Sequence, residues 1–206
     1  MKYLITICLI LTSFTISHAQ YREGHMWVIS SGVTFPMSPD SFSDRWKSGY
    51  HLEGGILYSL NLEQRIMIKA TASYQKLTPN TNSFLTDLGI SNPNNRINVQ
   101  SGSGSIWSLA CHLKITPRWT EGFLIPYALG GPSLMRVHQD VTYISQGATQ
   151  SQQFKQTTTD IGLSLGVGID FDLPNTITLF FESQYTMVFT QEAGPRFIPI
   201  RLGILF

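Results

Sequence analysis

The chain has 206 residues, with 14 Lys and Arg, 13 Asp and Glu and five His, so its formal net charge is +1. This near-neutral balance gives no basic surface for nucleic acid and no polybasic patch for an anionic membrane surface. Only 13% of the residues are charged, although 12% are aromatic. Such a composition is unusual for a water-soluble domain and fits a chain with one face in lipid and the other in water.

The N-terminal residues have the three parts of a secretory signal peptide. Lys2 supplies the positive start, an apolar stretch follows, and a small-x-small site ends at Ala19. We predict a signal peptide over residues 1–19, cleaved between Ala19 and Gln20, and a single domain over residues 20–206. The alternative is a retained membrane anchor, but the apolar stretch is shorter than the ~20 residues that span a bilayer.

Cysteine usage excludes several kinds of site. Cys111 is the only cysteine after the predicted cleavage point, so the domain has no internal disulfide. Neither a Cys-x-x-Cys nor a His-x-x-x-His pattern occurs, so a zinc site has no support. We expect no cofactor and no metal.

The clearest structural pattern is strict alternation in the segment DIGLSLGVGIDF, residues 160–171. Large apolar side chains occupy every second position, and glycine, serine and aspartate occupy the others. In water, such a strand would need a core on its apolar face, and its small polar face offers little bulk to build one. Lipid outside and a polar lumen inside satisfy both faces.

Seven further segments show similar alternation. They cover about residues 26–35, 50–60, 66–77, 105–115, 124–138, 177–189 and 197–206. The pattern predicts an all-β fold, an eight-stranded antiparallel up-and-down transmembrane β-barrel. Gly130, Gly131 and Pro132 interrupt the fifth segment, where we predict a bulge or kink. A soluble sandwich of eight strands is the alternative, but charges on one face and bulky apolar side chains on the other argue against it.

The connections between these segments alternate in length. Short links follow the second, fourth and sixth segments, and longer polar links follow the first, third and fifth. The longest are residues 78–104 and 139–156. This asymmetry is typical of outer-membrane barrels and predicts periplasmic N- and C-termini with long extracellular loops.

The last segment carries a recognisable pattern. Apolar residues at every second position lead to a final aromatic one: Ile198, Ile200, Leu202, Ile204 and Phe206. This resembles the C-terminal signature by which bacterial outer-membrane barrels are recognised for insertion. Pieces such as IPYALGGPS and GVGIDFDLPNTITLFFESQYTMVF are similar to the small eight-stranded barrels of the OmpA-barrel and OmpX type and to the PorT-like outer membrane protein beta-barrel domain. The resemblance spans nearly all of residues 20–206 and implies an outer-membrane location and contact with the barrel-assembly machinery, but hardly any chemistry.

Charged side chains occur at inward positions of the predicted strands. They are Glu53, Lys69, His112, Lys114, Asp170, Glu182 and Arg201. Because an eight-stranded lumen is only wide enough for side chains, these charges need partners. We predict Arg201 beside Glu182 and Gln184, and Glu53 facing Lys69. A salt-bridged plug is the favoured interpretation of this set, and a proton or ion path is the alternative.

An enzyme that acts on outer-leaflet lipid would need a serine, a histidine and an acid within mutual reach. Ser108 and His112 share a face, but four residues along a strand is roughly 13 Å. His138 lies near Asp140 and Ser133 at the start of a loop, and no G-x-S-x-G motif occurs. The residues therefore do not predict a hydrolase.

Aromatic residues fall near both ends of the predicted strands, at outward positions. Those near the loop ends are Tyr50, Tyr74, Trp107, Tyr185 and Phe189, and those near the turn ends are Trp27, Tyr58, Phe171 and Phe206. Two such rims are favoured at the two lipid–water interfaces. A carbohydrate-binding stack is the alternative interpretation, which the outward phase disfavours.

These features together predict an integral outer-membrane barrel that is not an enzyme. We expect a structural, surface-interaction or docking role, with outer-membrane lipid around the barrel and an extracellular or envelope protein as partner of the loops. A lipid A-modifying enzyme and a narrow, porin-like pore are the alternatives.

Overall fold

The computed structural model describes residues 24–60, 65–80, 98–118, 122–144, 152–173, 177–190 and 194–206. These residues form eight β-strands and one short helix. The elements are β1 (His25–Ser38), α1 (Asp40–Ser43), β2 (Trp46–Ser59), β3 (Ile66–Pro79), β4 (Asn98–Ile115), β5 (Leu124–Ile144), β6 (Gln152–Asp172), β7 (Thr178–Phe189) and β8 (Arg196–Leu205).

Each strand pairs antiparallel with its neighbours in sequence, and β1 pairs with β8 to close the barrel. At this seam the backbone N–H groups of Trp27 and Phe206 each donate a hydrogen bond to the other residue's carbonyl, at 2.7 and 3.1 Å. The predicted fold class is therefore confirmed. In the described ranges, no helix has the length and apolar character needed to cross a membrane.

The two faces of the wall have the predicted phase. Large apolar side chains point outward and are strongly exposed, as in Trp107 (59%) and Leu165 (60%), while the side chains between them point into the barrel. Because a band of exposed apolar side chains runs around all eight strands, lipid and not water is the solvent that this band fits.

The sequence predicted a bulge or kink in β5; the structure has no bulge there, although the ladder with β4 leaves out Gly131 and Pro132 without a shift of register. β5 pairs with β6 in one unbroken register from Leu124 to Tyr143. A Cβ atom on Gly131 would lie 2.1 Å from the carbonyl oxygen of Cys111 on β4. The glycine is therefore required because two backbones approach closely, and it marks no extra residue in the ladder.

The strands β4, β5 and β6 are longer than predicted, with 18, 21 and 21 residues. Much of the predicted loop over residues 139–156 is strand. β6 pairs with β7 from Ile161 onward, so its first nine residues continue past β7 at the loop end. We call residues 98–103, 139–144 and 152–160 the β4–β6 extension.

Candidate functional site

The interior of the barrel is the candidate site, because the structure brings all seven predicted inward charges there. Each of them is buried: Glu53, Lys69, His112, Lys114, Asp170, Glu182 and Arg201. Three carboxylates therefore face three basic groups in one enclosed space. Burial of this kind is stable only where every charge has an opposite partner.

Four of these residues form a closed ring of ion pairs. Lys69 Nζ lies 2.9 Å from Glu53 Oε1 and 3.2 Å from Glu182 Oε1. The guanidinium of Arg201 contacts the same two carboxylates, through Nη1 to Glu53 and Nη2 to Glu182. Each acid thus contacts both bases, and each base both acids. We call this group the lumen ring.

The lumen ring joins opposite walls of the barrel. Its members come from β2, β3, β7 and β8, and β3 and β7 lie four strands apart around the circumference. Glu182 also accepts hydrogen bonds from the Tyr127 hydroxyl at 2.9 Å and from Gln184 Nε2 at 2.9 Å. The ring therefore connects β5 as well and braces the barrel across its lumen.

The two predicted pairings arise differently. Arg201 is the register partner of Glu182, as the sequence analysis predicted. Glu53 and Lys69 are not register partners: Glu53 lies opposite Ser73, and Lys69 lies opposite Leu57. Their ion pair forms because the long lysine side chain reaches along the lumen, so the predicted geometry was wrong although the contact exists.

A second ion pair lies nearer the turn end. Lys114 Nζ is 2.5 Å from Asp170 Oδ2 and stands 3.8 Å from the centre of the Tyr127 ring, a cation–π distance. Gly168 on β6 makes room for that ring, because a Cβ there would lie 2.4 Å from Tyr127 Cζ. Tyr127 was not predicted from the sequence, and the glycine on the neighbouring strand is the signal that could have indicated a large inward side chain.

Apolar side chains fill the lumen on both sides of the charges. At the loop end the buried cluster is Phe42, Trp46, Leu77, Ile106, Met135, Val137, Val188 and Phe197. At the turn end it is Val28, Leu57, Met67, Phe180 and Leu205. A small cavity beside the lumen ring, lined by Lys69, Lys114, Tyr127 and Glu182, has room for about one water molecule. These two apolar layers were not predicted from the sequence.

Two histidines are buried next to the lumen ring. His51 Nε2 is 4.0 Å from Glu53 Oε2, and His112 is 2% exposed. Neither ring has a hydrogen-bond partner among the described residues. In the same part of the chain, no group of three or more His, Cys, Asp or Glu is placed to hold a metal ion.

The serine and histidine candidates have other partners. The Ser108 hydroxyl is hydrogen-bonded to Ser73 at 2.6 Å, inside the lumen. His138 Nδ1 is 2.8 Å from the Thr157 hydroxyl at the loop end. The structure therefore does not bring either pair together in the arrangement that activates a nucleophile.

Aromatic side chains meet on the outer wall near both ends. Tyr74 lies between Tyr50 and Trp107, with ring centres 6.0 and 4.7 Å apart. Phe123 and Phe171 pair edge to face at the turn end, 6.0 Å apart. These contacts place aromatic rings where an outer-membrane barrel meets the two lipid–water interfaces.

A closed eight-stranded barrel with an apolar outer wall, aromatic residues near both ends and a charge-paired interior defines a class, the small outer-membrane β-barrels. Comparison with protein families agrees: a model of the outer membrane protein beta-barrel domain matches residues 6–203. The chain belongs to that family of bacterial outer-membrane proteins, and the resemblance seen in the sequence is confirmed.

Solved structures support the fold. Neisserial surface protein A is 14% identical, with 89% of this chain and 98% of that chain covered and a TM-score of 0.59. A major outer membrane protein from Thermus thermophilus is 9% identical, with 88% and 98% covered and a TM-score of 0.54. At these identities the likeness concerns the fold alone. No curated protein sequence matches the chain.

Proposed function

We propose that the protein is a non-conducting, non-enzymatic barrel that presents its β4–β6 extension to another protein of the envelope or the cell's surroundings. The filled lumen carries this proposal. Apolar layers lie at both ends of the interior, and a neutral ring of ion pairs lies between them. A barrel filled in this way acts through its outer surface and its loops, because its interior offers no path for a solute.

The β4–β6 extension is the part of the described structure best suited to contact a partner. Its nine residues of β6 reach roughly 30 Å along the strand at about 3.3 Å per residue. Its sequences, NVQSGS, QDVTYI and QQFKQTTTD, are mostly polar, with Val99, Val141, Tyr143, Ile144 and Phe154 as the apolar residues. Because a mostly polar sheet is not stable in hydrocarbon, the extension projects from the membrane on the loop side.

The orientation in the membrane is part of the same proposal. The first residue of β1 and the last residue of β8 both lie at the turn end, beside the short connections. A signal peptide over residues 1–19 delivers the chain to the periplasm, where the assembly machinery recognises the terminal strand. The turn end then stays periplasmic, and the β4–β6 extension faces outward.

Cysteine labelling on intact cells tests the orientation. In a Cys111→Ala background, Gln156→Cys tags the extension and Leu173→Cys tags the turn end. An impermeant maleimide should label the first variant on whole cells and the second only after the membrane is opened. Labelling of Leu173→Cys on whole cells would contradict the proposed orientation.

Planar-bilayer recording tests the filled lumen. The purified barrel should show no conductance steps above the lipid background. The lumen ring supplies a matched variant, Lys69→Ala with Glu182→Ala, which removes one acid and one base and enlarges the cavity. Regular steps in the unmodified protein would support the pore alternative. Steps in the variant alone would show that the side chains fill the lumen as proposed.

A photocrosslinker at Gln156 tests the partner. The expected result is a discrete crosslinked protein species on cells, absent when the same crosslinker is placed at Leu173. Release of fatty acid or sugar from purified lipid A by the barrel would instead support the enzyme alternative.

A further inference from the structure

A patch of the outer wall at the loop end combines basic, hydroxyl and aromatic side chains in two adjacent cross-strand rows. One row pairs Tyr74, Trp107, Arg136 and Thr159 across β3 to β6. The other row pairs Tyr50, Lys76, Ser105, His138 and Thr157 across β2 to β6. We call these nine residues the outer-wall patch.

The charge of the outer-wall patch is one-sided. Lys76 and Arg136 are exposed basic residues, and none of the nine residues is a carboxylate; Asp140, two residues beyond His138 on β5, is the register partner of Lys155. Lys76 stands beside Tyr50, and Arg136 stands beside Trp107. The patch therefore presents positive charge at the edge of an aromatic surface, an arrangement that attracts anions.

The next row toward the turn end is entirely apolar. It contains Ala72, Leu109, Leu134 and Ile161, which pair across the same strands. On β3 to β6 the apolar surface therefore ends directly below the basic residues. Lys76 and Arg136 thus stand at the boundary where lipid headgroups are expected on these strands.

We propose that the outer-wall patch binds the headgroup of an outer-leaflet glycolipid that carries two phosphates. Lys76 and Arg136 each contact one phosphate, Tyr74 and Trp107 pack against the sugar ring, and Ser105 and Thr159 hydrogen-bond its hydroxyls. The Cα atoms of Lys76 and Arg136 are separated by two strands and two residues, roughly 12 Å, which long side chains adjust to the span of a phosphorylated sugar. The choice of an outer-leaflet lipid rests on the proposed function, in which the loop end of the barrel faces out of the cell.

A third cation on the outer wall provides the matched control. Arg196 on β8 is exposed at the same end of the barrel and lies opposite Met187 on β7. It has the same charge as Arg136, but its register partner on β7 is Met187, whereas that of Arg136 on β4 is Trp107. If anions were attracted to the loop end only by its overall positive charge, binding would depend on Arg196 as much as on Arg136.

Titration of lipid A into the detergent-folded protein tests the site. Native mass spectrometry would count bound lipid for the unmodified protein, for Lys76→Gln with Arg136→Gln, and for Arg196→Gln. The double variant should bind at least about tenfold more weakly, and Arg196→Gln should bind like the unmodified protein. Monophosphorylated lipid A should bind more weakly than the diphosphorylated form, and millimolar inorganic phosphate should not displace either.

Three results would overturn this site. They are equal binding by the double variant, an equal loss in Arg196→Gln, and displacement of lipid by inorganic phosphate, which would indicate a site for the free anion. Heat-modified migration of each variant on SDS gels confirms that it is folded. Because binding in detergent does not depend on which end faces out, failure here is distinct from failure of the labelling test for orientation.

Discussion

Neutralising Glu182 is the most direct test of the lumen ring. In Glu182→Gln the side chain keeps its size but loses its charge, so Arg201 and Lys69 are left to share Glu53. Removing one partner of a buried ion pair costs roughly 3–5 kcal/mol. Because the amide oxygen still accepts the hydrogen bond from Tyr127, we expect a loss in the lower part of that range, about 3 kcal/mol.

Urea unfolding in lipid vesicles, followed by heat-modified migration, measures this loss. Adding Lys69→Met to Glu182→Gln should recover at least about 1 kcal/mol, because Arg201 and Glu53 then form a neutral pair. Ser183→Ala, on the outer wall beside Glu182, is the control and should stay within about 0.5 kcal/mol. The explanation fails if the single change is as stable as the control, or if the double change is less stable than the single.

Three further changes examine other parts of the barrel. Gly168→Ala should cost about 1–3 kcal/mol in the same urea assay, because a methyl group there displaces the Tyr127 ring; an unchanged midpoint would show that the ring has room to move. Cys111, exposed on the lipid-facing wall, should resist a water-soluble maleimide in vesicles and react after denaturation, and rapid labelling would contradict the outward phase of β4. Deleting Phe206 should lower the yield of heat-modifiable barrel in cells, since the seam with Trp27 and the proposed insertion signal are both lost; a normal yield would refute that role.

The outer wall was predictable because a single physical requirement governs it. Every second residue of a strand that faces lipid must be apolar, and this period can be read without knowing the partner strands. Arg201 and Glu182 were also predictable, because a short connection sets the register between β7 and β8. In both cases the information lies within one strand or one hairpin.

The filling of the lumen was not predictable in the same way. Phe180 and Val188 are apolar residues at inward positions beside apolar outward neighbours, so the alternation disappears where they occur. Lys69 reaches Glu182 across the barrel, a contact between residues 113 positions apart. Such contacts depend on closure of the whole barrel, which no local pattern encodes.

The length of β6 was underestimated for a related reason. Residues 152–160 are polar apart from Phe154, and a strand outside the membrane needs no apolar side. Its sequence is then like that of a loop, although its backbone continues the sheet.

The lumen ring also bears on how the barrel assembles. Glu53 and Lys69 lie on one hairpin, β2–β3, and Glu182 and Arg201 lie on another, β7–β8. Each hairpin therefore carries one acid and one base of the ring, and these two charges cancel before the hairpins meet. A hairpin of this kind enters the membrane at a lower electrostatic cost than one with an unmatched charge. The contacts that complete the ring form only when the first and last strands join, so they stabilise the closed barrel without stabilising an open sheet.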